Sequence, residues 1–173
     1  MAEEGLVETH QDALLQAARF TGRYAGKVDA KGRVSIPGDF RRLLPGGTVY
    51  AFRHFSEPVL QMGPRSLLDN LLASVAGQDV YDEDRWLLED EITEGTQALA
   101  LDENGRISLP KDLREELNLT GPAAFGGRGW HFILGAEDYL NQQRSRAREA
   151  ASRHRDTLRA RMLPSVQAGR QQG

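Results

Sequence analysis

Two arginines, Arg33 and Arg106, each stand four residues after an aspartate and directly after a glycine, in Asp29-Ala30-Lys31-Gly32-Arg33 and Asp102-Glu103-Asn104-Gly105-Arg106. An aspartate at the mouth of a tight turn accepts backbone N–H groups. A guanidinium just past the turn forks onto a carboxylate, a phosphate or the acceptor edge of a guanine. The spacing therefore admits two uses of each arginine: an internal ion pair with Asp29 or Asp102, or contact with nucleic acid through a phosphate or a base edge in a groove. Both hold together if the aspartate orients the arginine, which makes Asp29 and Asp102 structural supports. Lys31, Lys27 and Arg23 crowd the first turn, and residues 19–33 carry five basic side chains against one acidic. That cluster reads as a phosphate-contacting surface or as an ordinary solvated face. Asn104 takes the place of Lys31 in the second turn.

No catalytic constellation accompanies these groups. Ser35 and Ser108 fall in strand-like segments without a nucleophile elbow, and His10, His54, His131 and His154 have neither metal-ligand spacing nor a matching carboxylate. Gly126-Gly127-Arg128-Gly129 departs from the dinucleotide fingerprint and lies between two strands, so a hairpin loop is expected there. The chain has no cysteine, which removes disulfides, thiolate metal sites and cysteine nucleophiles. No enzyme activity, cofactor, metal or small-molecule substrate is expected.

The elements that position the arginines repeat. Asp29 to Leu44 aligns with Asp102 to Leu117 at an offset of 73, and Asp, Gly, Arg, Ser, Pro, Asp, Arg and Leu recur at eight of sixteen positions. Before the first turn, Tyr24, Gly26 and Val28 alternate with Arg23, Ala25 and Lys27, the period of a half-buried strand. Gly32 and Gly105 supply the residue able to take positive φ, as in a hairpin turn. Val34-Ser35-Ile36 and Ile107-Ser108-Leu109 read as short returning strands, stopped by Pro37 and Pro110, which have no N–H to offer a ladder. Short helices follow, with Asp39 and Asp112 at the cap or first turn and Phe40, Leu43, Leu44, Leu113 and Leu117 facing a core. Thr48–Phe52 with Val59–Met62, and Ala123–Phe125 with Trp130–Leu134, read as second strand pairs. Leu67, Leu68, Leu71, Leu72 and Val75 predict a helix over Ser66–Val75, and Asp82–Glu94 another around Trp86, Leu87 and Ile92. Gly77-Gln78-Asp79 marks the break between them. Asp79 to Glu94 carries eight carboxylates against Arg85, a patch expected to face away from nucleic acid. Arg41 and Arg114, just after the helix-start aspartates, suit an ion pair or an interface better than contact with DNA.

The net charge of −3 over 173 residues excludes a generally basic coat and requires any nucleic-acid binding to be local. No apolar run is long enough for a membrane helix, and the start is acidic where an export signal is basic, so a cytoplasmic location is expected. The organisation expected is an N-terminal extension over 1–19 with weak helical character, a first half over 20–94, a second half over 95–140 and an Arg-rich tail over 141–173. The tail has eight arginines against Glu149 and Asp156 and a thin apolar stripe of Leu140, Ala147, Ala151, Leu158 and Met162. A helix that frays toward Pro164 is expected. Three uses suit the tail: contact with DNA or RNA, pairing with acidic patches on neighbouring subunits, or simple solvation.

Phe20-x-Gly22-x-Tyr24, then Val28-Asp29-x-Lys31-Gly32-Arg33-Val34-Ser35-Ile36-Pro37 and Phe40-Arg41, resembles the opening signature of the MraZ family, and Leu101-Asp102-x-x-Gly105-Arg106-Ile107-x-Leu109-Pro110 resembles its second copy. The resemblance covers roughly residues 20–140. A single Asp-x-x-x-Arg motif is shared with AbrB-type and antitoxin swapped-hairpin proteins, and the duplication separates the candidates. The family implies a β-rich fold with short helices, a double-split β-barrel built from two pseudo-symmetric swapped-hairpin halves. It also implies closed-ring homo-oligomers and binding of double-stranded DNA at repeated operators before a cell-division and cell-wall gene cluster, in the nucleoid. On this resemblance Arg33 and Arg106 contact DNA, assisted by Lys31, Lys27, Arg23 and Asn104, with Asp29, Gly32, Asp102 and Gly105 supporting the turns. The alternative is an antitoxin-like module that neutralises a partner through its tail. Antitoxins usually carry one such half and an acidic tail, whereas this chain has two halves and a basic one.

Overall fold

The computed structural model describes residues 19–77 and 82–162. The expected helix within 1–19 and the end of the tail beyond Pro164 lie outside the described residues, as do Gln78 and Asp79 of the expected break. Two compact units are formed, the first running to Glu137 and the second from Asp138.

Among the described residues the first unit contains eight strands: β1 (Arg23–Val28), β2 (Arg33–Ser35), β3 (Thr48–Arg53), β4 (Val59–Gly63), β5 (Gln97–Ala100), β6 (Arg106–Ser108), β7 (Gly121–Gly127) and β8 (Phe132–Ala136). Six build an antiparallel sheet in the order β1-β7-β8-β4-β3-β5, and β2 and β6 form a separate antiparallel ribbon. Exchanging β1 with β5, β3 with β7 and β4 with β8 reverses the sheet order onto itself, so the sequence repeat is a pseudo-twofold repeat in space. In the ribbon, Val34 sits opposite Ile107, its own counterpart in the repeat.

The returning strands differ from a plain hairpin. Each turn closes with backbone bonds from Asp29 N–H to the Arg33 carbonyl and Gly32 N–H to the Asp29 carbonyl, and likewise from Asp102 N–H to Arg106 and Gly105 N–H to Asp102; β2 then runs its ladder with β6, 73 residues away, while β1 pairs with β7. Each half leaves its turn and binds the other. The driving force is burial: Val34 and Ile107 are almost completely buried, and one apolar cluster joins them to Val28, Ile36, Phe40, Leu109, Leu113, Phe125 and Phe132 from both halves. Burying a large aliphatic or aromatic side chain is worth about 1.5–3 kcal/mol, whereas a two-stranded hairpin alone is marginal in water.

Helices α1 (Gly38–Arg41) and α4 (Lys111–Glu116) follow the ribbon strands, and Pro37 and Pro110 occupy their N-cap positions. Asp39 lies in the first turn of α1 and accepts the Tyr24 hydroxyl at 2.8 Å. Phe40 is wedged among Phe20, Tyr24 and Phe132, with ring centroids 4.8–5.4 Å apart. Helices α2 (Ser66–Ala76) and α3 (Glu83–Gly95) cover a second, smaller core of Phe52, Leu67, Leu71, Val75 and Ile92. The amphipathic reading of α3 needs one correction: Ile92 is buried, but Trp86 and Leu87 are exposed. Arg85, Leu88 and Ile92 recur at the inward spacing, which turns residues 86 and 87 outward.

From Glu137 the chain is helical, as α5 (Glu137–Arg153) and α6 (Arg155–Met162). Bonds from His154 N–H to the Ala150 carbonyl and from Leu158 N–H to the His154 carbonyl carry the helical pattern across the junction. No helix among the described residues is long and apolar enough to cross a membrane.

Candidate nucleic-acid interface

Each turn is organised by its aspartate. Asp29 Oδ1 accepts the backbone N–H groups of Lys31 (2.9 Å) and Arg33 (2.8 Å), and its Oδ2 accepts Arg33 Nε at 2.8 Å. Asp102 repeats this with Asn104 N–H, Arg106 N–H and Arg106 Nε, each at 2.9 Å. The N–H of Arg33 above all, then its guanidinium, hold the Asp29 carboxyl below its ordinary value, and Arg106 does the same for Asp102. Both carboxylates are therefore ionised at neutral pH, and both arginines are oriented by a fixed anion. The internal pair read from the spacing is present in both copies.

The ribbon brings the two motifs together. Arg33 is registered against Ser108 and Arg106 against Ser35, so these four residues share one face, while Val34 and Ile107 point from the other into the core. Arg33 and Arg106 are diagonal neighbours in this register, with Cβ atoms roughly 7–8 Å apart. Ser35 and Ser108 are exposed beside them, and the arginine side chains are about one-third exposed. Bonds from Ile36 N–H to the Gly105 carbonyl (3.0 Å) and from Leu109 N–H to the Gly32 carbonyl (2.8 Å) lengthen the ladder, placing one turn at each end.

Gly32 and Gly105 have φ of +77° and +71° and are buried although they lie in turns. What covers them crosses between halves: the Arg114 side chain lies over Gly32, and that of Arg41 over Gly105. Neither Arg41 nor Arg114 forms an ion pair with a carboxylate among the described residues. The expected ion pair is not formed among the described residues, and each side chain instead packs over the turn glycine of the other half. They add uncompensated charge beside the turns whose own arginines are matched by aspartate.

The remaining candidates are dispersed. Lys31 and Asn104 are exposed at the turns. Arg23 and Lys27 lie on β1, at the edge of the large sheet and off the ribbon face. Sequence reasoning missed Ser35 and Ser108 as partners of the arginines, although their i, i+2 spacing from Arg33 and Arg106 is the signal that puts them on the same side. The covering by Arg41 and Arg114 had no sequence signal, since it depends on the exchange between halves.

His54, which sequence spacing left without a matching carboxylate, lies 3.4 Å from Glu57. His54 Nδ1 accepts the N–H groups of Ser56 and Glu57 (3.2 and 3.0 Å), Arg128 forks onto the Glu57 carboxylate, and buried His131 lies 3.3 Å from Gln61. Burial, with Arg128 and His54 nearby, lowers the His131 pKa to about 4. These groups tie the β3–β4 loop to the β7–β8 loop, and no metal-binding cluster is present among the described residues.

A family model described as "MraZ protein, putative antitoxin-like" matches residues 92–160. The chain is 30% identical over 134 residues to a transcriptional regulator MraZ of Rhizobium rhizogenes, an alignment spanning 76% of this chain and 92% of the relative. A protein of that name from Rhizobium meliloti is 31% identical over the same shares. Another, from Azorhizobium caulinodans, is 32% identical over 143 residues, 81% of this chain and 91% of the relative.

Proposed function

Because the chain belongs to the MraZ family, we propose that it is a sequence-specific DNA-binding transcriptional regulator that reads operator bases with the outer face of the β2–β6 ribbon. The observation that carries this reading is the convergence of Arg33, Arg106, Ser35 and Ser108 on one exposed face of two strands. Paired strands lie about 5 Å apart, and a major groove about 12 Å wide admits such a ribbon with its outer face toward the bases. Arginine forks onto the O6 and N7 acceptors of guanine, serine adapts to donor or acceptor, and the aspartates hold the guanidinium planes before DNA arrives. Lys31, Lys27, Arg23, Arg41 and Arg114 supply phosphate contacts and Asn104 a neutral one.

In this reading the six-stranded sheet and the ribbon are the parts of a double-split barrel, residues 20–94 and 95–140 are its halves, and the protein is not an enzyme. It acts in the cytoplasm and nucleoid, as a ring of identical subunits that engages repeated operator boxes. Repetition answers the electrostatic problem of an acidic chain: one modest basic face, multiplied over adjacent subunits, gains avidity when box spacing matches subunit spacing. The outcome is repression of its own cell-division and cell-wall operon.

Footprinting on the DNA upstream of its own reading frame tests the proposal. Protection of regularly spaced boxes is expected, lost when the spacing is changed by half a helical turn and lost in the Arg33→Ala/Arg106→Ala double variant. Uniform weak binding along any duplex, unchanged in that variant, overturns it.

A further inference from the structure

The outer face of α3 and the surface of the Arg-rich helices carry opposite charge. On α3, Glu83, Leu87, Asp90, Glu91 and Glu94 recur at helical spacing on the side away from Ile92, all exposed, with Leu87 60% exposed. Among the described residues Arg85 pairs with Glu89 beside that face, and Glu83, Asp90, Glu91 and Glu94 form no ion pair. On α5 and α6, Arg144, Arg148, Arg155 and Arg159 fall within a narrow arc of the helical wheel, next to Ala151 and to Leu158, which is 45% exposed. Every side chain described from Asn141 to Arg161 is exposed or half-exposed, so these helices hold their length with little core of their own.

We propose that α5–α6 of one copy docks on the outer face of α3 of a second copy, with the arginine stripe against the carboxylate stripe and Leu158 against Leu87. With the helices antiparallel and Leu158 over Leu87, a rise of about 1.5 Å per residue sets Arg159 toward Glu83, Arg155 level with Asp90 and Arg148 about 4–5 Å past Glu94, within reach of its long side chain, while Arg144 lies beyond the end of α3. Isolated surface ion pairs contribute little, but several in one network around a shared apolar contact both attract and fix register. The docking deepens the assembly part of the proposed function by naming one contact between subunits, and it removes the arginine tail from the DNA-contacting surface.

The absence of native cysteine allows a direct test. Leu87→Cys protein and Leu158→Cys protein, one carrying a size tag, are mixed and oxidised, and light scattering is run on the unmodified chain. A mixed disulfide between tagged and untagged chains is expected, lost at molar salt, where the screening length is about 3 Å. It should also be lost when Arg144, Arg148, Arg155 and Arg159 are changed to Glu, and restored when Glu83, Asp90, Glu91 and Glu94 of the other protein are changed to Lys. Absence of the mixed disulfide in a chain that still assembles overturns the docking and leaves assembly standing. A chain that remains monomeric overturns both. If the arginine-to-glutamate variant keeps the cross-link but loses operator affinity, the tail serves DNA and the docking is wrong. If the Leu87→Cys/Leu158→Cys double variant closes within one chain at high dilution, the partner is not a second copy.

Discussion

Gly32 of the first half is covered by Arg114 of the second, so closely that a Cβ at Gly32 would lie 2.5 Å from the Arg114 Cζ. Arg41 and Gly105 repeat the arrangement in reverse. Two turns 73 residues apart are thereby buried by each other's helices, and the arginines that bury them remain as charge beside the candidate interface. Each glycine meets two demands at once, a positive φ and a roof with no room for a side chain.

Those demands can be separated. Alanine at Gly32 has to adopt a φ near +77°, a left-handed conformation that costs about 1–2 kcal/mol for a residue with a Cβ. The Arg114 side chain is flexible and moves at less cost. Gly32→Ala is expected to lower unfolding free energy in urea by about 1–2 kcal/mol, and adding Arg114→Ala is expected to restore little of it. Full restoration would place the cost in the side-chain clash.

The two halves should contribute unequally to operator binding. Arg33 is accompanied by Lys31, Lys27 and Arg23, whereas Arg106 has Asn104, Ala100 and Thr96 at the matching positions and exposed Glu103 nearby. Arg33→Ala is expected to cost about 1–3 kcal/mol of operator affinity per engaged subunit, the scale of a lost bidentate base contact, and Arg106→Ala less. Affinity is measured at fixed salt, with thermal melting and light scattering showing that both variants fold and assemble. Equal losses, or a greater loss from Arg106→Ala, would refute the asymmetry.

Salt dependence reports the phosphate contacts. With about four to eight contacts over the engaged subunits, log affinity should fall against log salt with a slope between about −4 and −7, and Lys31→Ala should reduce its magnitude by about one for each engaged subunit. Asn104→Ala should leave the slope in place. Fluorescence anisotropy titrations at several salt concentrations measure both, and a flat response for the parent chain would exclude DNA backbone contact.

Acid stability should carry the signature of His131. Its folded pKa, about 4, lies below the ordinary 6.5, so the unfolded chain takes up the proton first. The sign follows by linkage: stability is fully present above pH 6.5 and falls as pH drops toward about 4. Asp29, Asp39 and Asp102, held below their ordinary 3.8, contribute stability that is lost only at lower pH, as they protonate in the folded state. Denaturant melts at intervals from pH 7 to pH 4 should show the decline, and His131→Gln should flatten it. A parent curve already flat over that interval would mean that His131 titrates normally in the fold.

What the sequence determined by itself is local. Asp29 with Gly32 and Arg33, and Asp102 with Gly105 and Arg106, specify a turn within five residues, because one carboxylate reaches two N–H groups and a guanidinium without help from the rest of the chain. The proline stops, the short helices, the second strand pairs and the pseudo-repeat were legible for the same reason, as periodicity and turn chemistry act over a few residues. Tertiary structure decided which strand meets which. A three-residue strand such as Arg33–Ser35 carries too little pattern to choose between β1 and β6, and the choice was made by burial of Val34 against Ile107, a contact 73 residues away. That pairing placed Arg33 beside Arg106, brought Ser35 and Ser108 beside them and laid Arg114 over Gly32. Packing of the smaller core separately turned Trp86 and Leu87 outward, because that core holds Ile92 and one helix cannot bury both of its sides. Side-chain type sets what a residue can do, but which residues act together depends on long-range packing that no short window of sequence contains.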